Sequence, residues 1–137
     1  TDHLLEQIGS DAMIEELLQR IRMLCGNDSI SVDTAVAASE AKAGSRNRAL
    51  ANFMESCGNL RNPVDTVLSA YFSQCAIAMS CRQLARAGMF LAFDGLDPER
   101  GERIVSSESC RRINAVMMSC GHYDNSGDFT YRIGLPG

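Results

Sequence analysis

The chain predicts a mainly α fold, and three observations carry that expectation. Every strong apolar periodicity repeats near the helical spacing, those segments are bracketed by capping residues and glycines, and only Asp128 to Ile133 alternates as a strand does. Met13, Ile14, Leu17, Leu18, Ile21 and Leu24 form the first apolar stripe; Ser10 or Asp11 stands where an N-cap belongs, and Gly26 falls just past the end. Ser31 to Ala43 is an Ala-rich helical segment with Val32, Ala35 and Val36 on one side. Gly44-Ser45 interrupts it, and Ala49, Leu50, Phe53, Met54 and Cys57 make a second face that ends at Gly58. Asn62-Pro63 reads as an N-cap followed by a first-turn proline, leading into Val64, Val67, Leu68, Tyr71, Phe72 and Cys75. Ser80-Cys81-Arg82-Gln83 is a capping box that opens a helix from Leu84 to Asp94, closed by Gly95. Asp97 to Gly101 is a loop. Ser106 or Ser107 opens the last helix, whose apolar side is Ile113, Val116, Met117 and Cys120 and whose stop is Gly121. The expectation is a predominantly helical span from residue 10 to 121 with fewer than three strands, and a short strand at Asp128 to Ile133 with Phe129, Tyr131 and Ile133 on one side. That lone strand needs a neighbour for its backbone donors and acceptors, and this chain hardly supplies one.

Composition narrows the classes. At 137 residues the chain is one domain's worth, with room for a sizeable core. No window reaches the roughly 18 uninterrupted apolar residues of a membrane span, and the first residues lack the basic start and apolar stretch of a signal peptide. A net charge of −4 without a basic run argues against a nucleic-acid partner. The six cysteines (Cys25, Cys57, Cys75, Cys81, Cys110 and Cys120) form no C-x-x-C pair and lie in no zinc-like spacing with His3 or His122. They read as reduced, small apolar residues of a cytosolic protein.

Two short motifs bear on chemistry. Ser39-Glu40-Ala41-Lys42 matches the S-x-x-K of serine acyl-enzymes, in which a lysine one turn away helps to activate the serine; four residues match by chance often, and an exposed Ala-rich helix with a surface lysine is the favoured reading. Tyr123-Asp124-Asn125 has the Y-x-N pattern that accompanies S-x-x-K in penicillin-recognising enzymes, and it also has the composition of a polar turn after a helix.

Taken together, "SEAKAGSRNRALA", "PVDTVLSAYFSQCAIAMSCRQLARAGMFLA" and "INAVMMSCGHYDNSGDFTYRIGLP" resemble the serine-dependent glutaminase family in order and spacing from about Asp33 onward. The resemblance implies the helical lobe of a β-lactamase-like fold, with most of the antiparallel sheet outside this chain. In the family an S-x-x-K lies upstream of the matched region and a Lys-Ser-Gly element follows "GLP", so residues 1–137 are expected to form a single partial domain, the helical middle of a catalytic domain. Ser39 and Lys42 then fall on the family's glutamate motif, and Ser39 is set aside as a nucleophile.

The resemblance also implies roles. Glu40 matches the glutamate that takes the substrate ammonium, and Asn47 the asparagine that donates to the substrate carboxylate. Seven residues apart, they would share a face if one helix ran through both, with Gly44 as the possible bend. Tyr71 matches a pocket-lining tyrosine, and Tyr123 the tyrosine that shuttles the proton between serine and leaving ammonia. A phenol titrates at about 10, so that role needs a neighbouring cation. On their own residues Glu40 reads as a solvated charge, Asn47 as a helix cap, Tyr71 as core and Tyr123 as a turn residue. The implied function is hydrolysis of L-glutamine to L-glutamate and ammonia through a seryl acyl-enzyme in the intact protein, without metal or organic cofactor, in a cytoplasmic homodimer or homotetramer. By itself the chain is expected to be inactive. The alternative is a non-catalytic helical binding module that keeps the ligand residues.

Overall fold

A computed structural model of the chain describes residues 1–122 and 125–136. Contacts divide it into two units, Thr1–Leu84 and Ala85–Gly137. The first contains α1 (Asp2–Ile8), α2 (Ser10–Cys25), β1 (Ser31–Val32), α3 (Thr34–Ala43), α4 (Ser45–Ser56), α5 (Val64–Cys75) and β2 (Ile77–Ala78); the division falls within α6 (Cys81–Ala87). At the centre stands α5, which buries Val64, Val67, Leu68, Ala70 and Phe72 and has α2, α3 and α4 packed around it. One side of its stripe joins Leu5 and Met13, and the other joins Ala51.

Local chemistry sets the element ends. Helix α2 stops at Gly26, in the left-handed region with φ 61°. Val32 is not helical: it pairs antiparallel with Ile77, beside Ser31 with Ala78. The helix starts two residues later because the Asp33 carboxylate accepts from the N–H groups of Ala35 and Val36, both at 3.0 Å. The capping box forms as expected: the Ser80 N–H donates to Gln83 Oε1 at 2.7 Å, and the Gln83 N–H donates to Ser80 Oγ at 3.3 Å. Asn62 does not cap α5. Pro63 takes the cap position without a side-chain bond, while Asn62 Nδ2 turns back to donate to the Asp2 carboxylate at 2.8 Å and the Asp2 carbonyl at 3.1 Å. The Asn62 amide N–H donates to a carboxylate from distant sequence, a stronger bond than one to a neutral acceptor, and this contact rather than a local cap is what its side chain makes.

The second unit holds α7 (Met89–Ala92), β3 (Leu96–Asp97), β4 (Glu102–Arg103), α8 (Ser107–Cys120) and α9 (Ser126–Ile133). The helix expected from Leu84 to Asp94 is broken at Gly88 into α6 and α7, and the loop after it is the turn of a β3–β4 hairpin that pairs Leu96 with Arg103 and Asp97 with Glu102. Four two-residue strands therefore lie between residues 10 and 121, and the expected limit of fewer than three fails, although helices account for most of the described residues. Asp97, at 0 % exposure, organises the hairpin: Arg86 Nη2 donates to both its oxygens at 3.0 Å, and the N–H groups of Glu99 and Arg100 add to Oδ1. Ser106 caps α8 by accepting from the Ser109 N–H at 3.1 Å, as expected.

The strand expected at Asp128 to Ile133 is instead helix α9. Phe129 and Ile133 satisfy a helical repeat as well as an alternating one, Asp128 and Arg132 pair one turn apart at 2.9 Å, and Gly134 at φ 76° closes the last turn. A helix satisfies its own backbone, which a strand without a neighbour cannot do. Two expected core faces are also open. Leu50, Phe53 and Met54 on α4, and Ile113, Val116 and Met117 on α8, are exposed, while the buried residues of those helices are Ala51 and Cys110. Periodicity identifies an apolar stripe and does not say what covers it.

Candidate functional site

The first unit contains an open, largely apolar cleft of about 320 Å³ between α4, α5 and the start of α1. Leu50, Met54, Leu60 and Val67 supply its apolar wall, and the polar side chains that reach it include Asp2, Asn47 and Tyr71. Asn47 and Tyr71, singled out from the sequence, are thus brought to one cavity by two helices that pack against each other. Both are half-buried. The Tyr71 ring sits edge-on to Phe72, with centroids 5.8 Å apart. Apolar walls with a few convergent polar groups are what a small-molecule site requires, and this volume lies at the small end of ligand pockets.

Glu40 is exposed on α3 and is not among the residues lining the cleft. No single helix runs through Glu40 and Asn47, so the seven-residue spacing does not put them on one helical face; α3 ends before Gly44 and α4 begins after it. That junction is tight. A Cβ at Gly44 would stand 2.4 Å from Cζ of Phe72 and 2.9 Å from the Glu40 carbonyl oxygen. Ser39 and Lys42 are exposed on the same short helix. Tyr123 lies outside the described residues. Beside it in sequence, the His122 ring stacks on Phe129 at 4.2 Å, and the His122 N–H donates to Ser126 Oγ.

Asp2 belongs to no motif or apolar stripe of the sequence. Its carboxylate accepts from the Arg61 and Asn62 N–H groups, each at 3.1 Å, and from Asn62 Nδ2. The Asn62 side-chain bond, with the two backbone N–H groups and the Arg61 charge, outweighs partial desolvation and holds this carboxyl below the usual carboxylate value. An acidic residue in a first helical turn signals only a favourable helix dipole, so nothing local to Asp2 announces a partner sixty residues away. All six cysteines are free thiols, and among the described residues no group of three or more His, Cys, Asp or Glu side chains is placed to hold a metal ion. No described helix is long and apolar enough to cross a membrane.

With this geometry in hand, comparison with known proteins defines the class. A sequence model of the Glutaminase family matches residues 1–137. The chain belongs to the glutaminase family. It is 59 % identical over 122 residues to a glutaminase of Rhodopseudomonas palustris, covering 89 % of this chain and 39 % of that protein. It is 58 % identical over 124 residues to the thermolabile glutaminase of Rhizobium etli, covering 90 % and 40 %. Among solved structures, a probable glutaminase of Bacillus subtilis superposes with a TM-score of 0.80 at 30 % identity, over 93 % of this chain and 40 % of that one. The B. subtilis glutaminase YbgJ, in covalent complex with 5-oxo-L-norleucine formed from 6-diazo-5-oxo-L-norleucine, superposes with a TM-score of 0.76 at 31 % identity, over 89 % and 42 %. The chain therefore spans about 39 % of the length of the curated relative named first.

Proposed function

We propose that this chain is the substrate-holding helical part of a glutaminase, an amidohydrolase that converts L-glutamine to L-glutamate and ammonia through a seryl acyl-enzyme. The observation that carries the reading is the convergence of Asn47 and Tyr71 on one cleft in a chain of the glutaminase family. A free amino acid presents an ammonium, a carboxylate and a side-chain amide, and a selective pocket must meet each. Asn47 donates to the carboxylate, Glu40 takes the ammonium, Tyr71 lines the amide end, and Tyr123 moves the proton between the serine and the departing ammonia. The reaction needs no metal or organic cofactor. The nucleophile and its lysine come from sequence outside this chain, and the complete enzyme has the β-lactamase-like architecture and works as a cytoplasmic homodimer or homotetramer.

The test is ammonia release and labelling by 6-diazo-5-oxo-L-norleucine in full-length protein carrying this sequence. Turnover with one covalent adduct, on a serine outside residues 1–137, supports the reading, and Asn47→Ala should raise KM by about tenfold or more, the worth of a hydrogen bond to a charged group. Glutamine binding without turnover or adduct would replace it with the non-catalytic binding module. Turnover lost in Ser39→Ala would move the chemistry into this chain.

A further inference from the structure

Gly44 adopts φ −77° and ψ 26°, backbone angles open to any residue, so no left-handed turn accounts for a glycine here. The space does. An alanine Cβ would lie 2.4 Å from Phe72 Cζ and 3.1 Å from Phe72 Cε1, far inside contact distance, and 2.9 Å from the Glu40 carbonyl. Phe72 is 4 % exposed and packed with Ala51, Val64 and Leu68 in the core around α5, so moving its ring disturbs that packing. Any side chain at position 44 must therefore lift the α3–α4 junction off α5 or push the ring into its neighbours. Glu40 is in the last turn of the helix before the junction, and Asn47 is in the first turn of the helix after it. Tyr71 adjoins Phe72 in sequence, contacts it edge-on, and shares the cleft with Asn47.

We infer that Gly44 is a positioning residue for glutamine recognition: by letting the Phe72 ring fill the α3–α4 junction, it sets the angle at which Glu40 and Asn47 meet one substrate molecule. This rests on the substrate roles proposed above for Glu40 and Asn47. An amino acid has its ammonium and carboxylate on one carbon, so both partners must be aimed at nearly the same point. A displacement of about 1 Å costs on the order of a hundredfold where geometry is that demanding.

The experiment compares kcat/KM for L-glutamine with kcat/KM for 4-carbamoylbutanoate, which keeps the carboxylate and side-chain amide and lacks the α-ammonium. Full-length enzyme carrying this sequence is used. The ratio of the two constants does not depend on how much of a variant is folded, so a purely structural defect leaves it unmoved. In Gly44→Ala the preference for glutamine should fall by about tenfold or more. Adding Phe72→Leu, which shortens the obstructing side chain, should restore it to within about threefold of the Phe72→Leu single variant. An unchanged preference in Gly44→Ala, or a reduced one that Phe72→Leu does not relieve, overturns the inference. Glu40→Gln separates the two levels. If it too leaves the preference unchanged, the ammonium role proposed for Glu40 falls together with the inference; if it abolishes the preference while Gly44→Ala does not, the inference alone falls.

Discussion

Replacing Asp33 with alanine should weaken the protein by about 1 to 2 kcal/mol, a loss assembled from two contributions. The carboxylate satisfies the N–H groups of Ala35 and Val36, both at 3.0 Å, and removing such a cap typically costs about 1 kcal/mol. Its charge at the positive end of the α3 dipole adds about 0.3 to 1 kcal/mol at an exposed site. Helix α3 is sensitive to both because none of its 10 residues is buried, and helices this short are marginal without help. The Asp33 N–H bond to the Ala76 carbonyl, 2.8 Å long, belongs to the backbone and survives the substitution, so the loss reports the side chain alone. The chain has no tryptophan, which makes urea denaturation followed by far-UV circular dichroism the suitable assay. Asp33→Asn keeps an acceptor oxygen and should lose only the dipole contribution, less than about 1 kcal/mol. If Asp33→Ala stays within about 0.3 kcal/mol of wild type, the cap is not what holds α3, and the reasoning fails.

Three further outcomes are expected. Tyr123→Phe in the full-length enzyme should lower kcat by roughly 10² to 10⁴ with little change in KM, the range of a general acid–base contribution; retention of more than about half of kcat would return Tyr123 to a turn-and-packing role. Asp2 and Asp97 both have carboxyls held below the usual value, Asp97 because the Arg86 guanidinium and two backbone N–H groups overcome its burial. A carboxyl lowered on folding stabilises fully above its unfolded value, near 3.9, and that stability is lost as pH falls through the folded value; Asp2→Ala should therefore lose less stability than wild type between pH of about 6 and about 2, by urea midpoint, and an equal loss would contradict the Asp2 share. Gly127→Ala in α9 should stabilise by about 0.4 to 1 kcal/mol, since no atom stands within 4 Å of the added Cβ and its φ is not positive; destabilisation in thermal melts would count against the helix at that end.

What the sequence made legible follows the range of the interactions involved. The Ser80–Gln83 box, the Ser106 cap and the Gly26 stop each depend on partners within a few residues, and each forms as read. Asn62 departs from its expected cap because its partner, Asp2, is far away in sequence; α9 departs from the expected strand because six alternating residues fit two periods and the Asp128–Arg132 pair, at helical spacing, favours the helix. The site divides in the same way. The break at Gly44 falls where Gly44-Ser45 interrupts the helical pattern, whereas Asn47 and Tyr71 come together because α4 packs on α5 through Ala51 and not through the Leu50, Phe53 and Met54 stripe.

The Asp2 clamp also bears on the order in which the molecule assembles. It joins positions 60 apart in the chain, while the Arg86–Asp97 pair joins positions 11 apart. Closing the longer loop costs about 1.5 kcal/mol more chain entropy. The hairpin pair is therefore expected to form early from nearby chain, and the clamp after α2 to α5 have brought its ends together. An interaction absent from the folding transition state acts on the rate of escape from the native state. Loss of the Asp2 carboxylate should accordingly speed unfolding and leave the folding rate nearly unchanged.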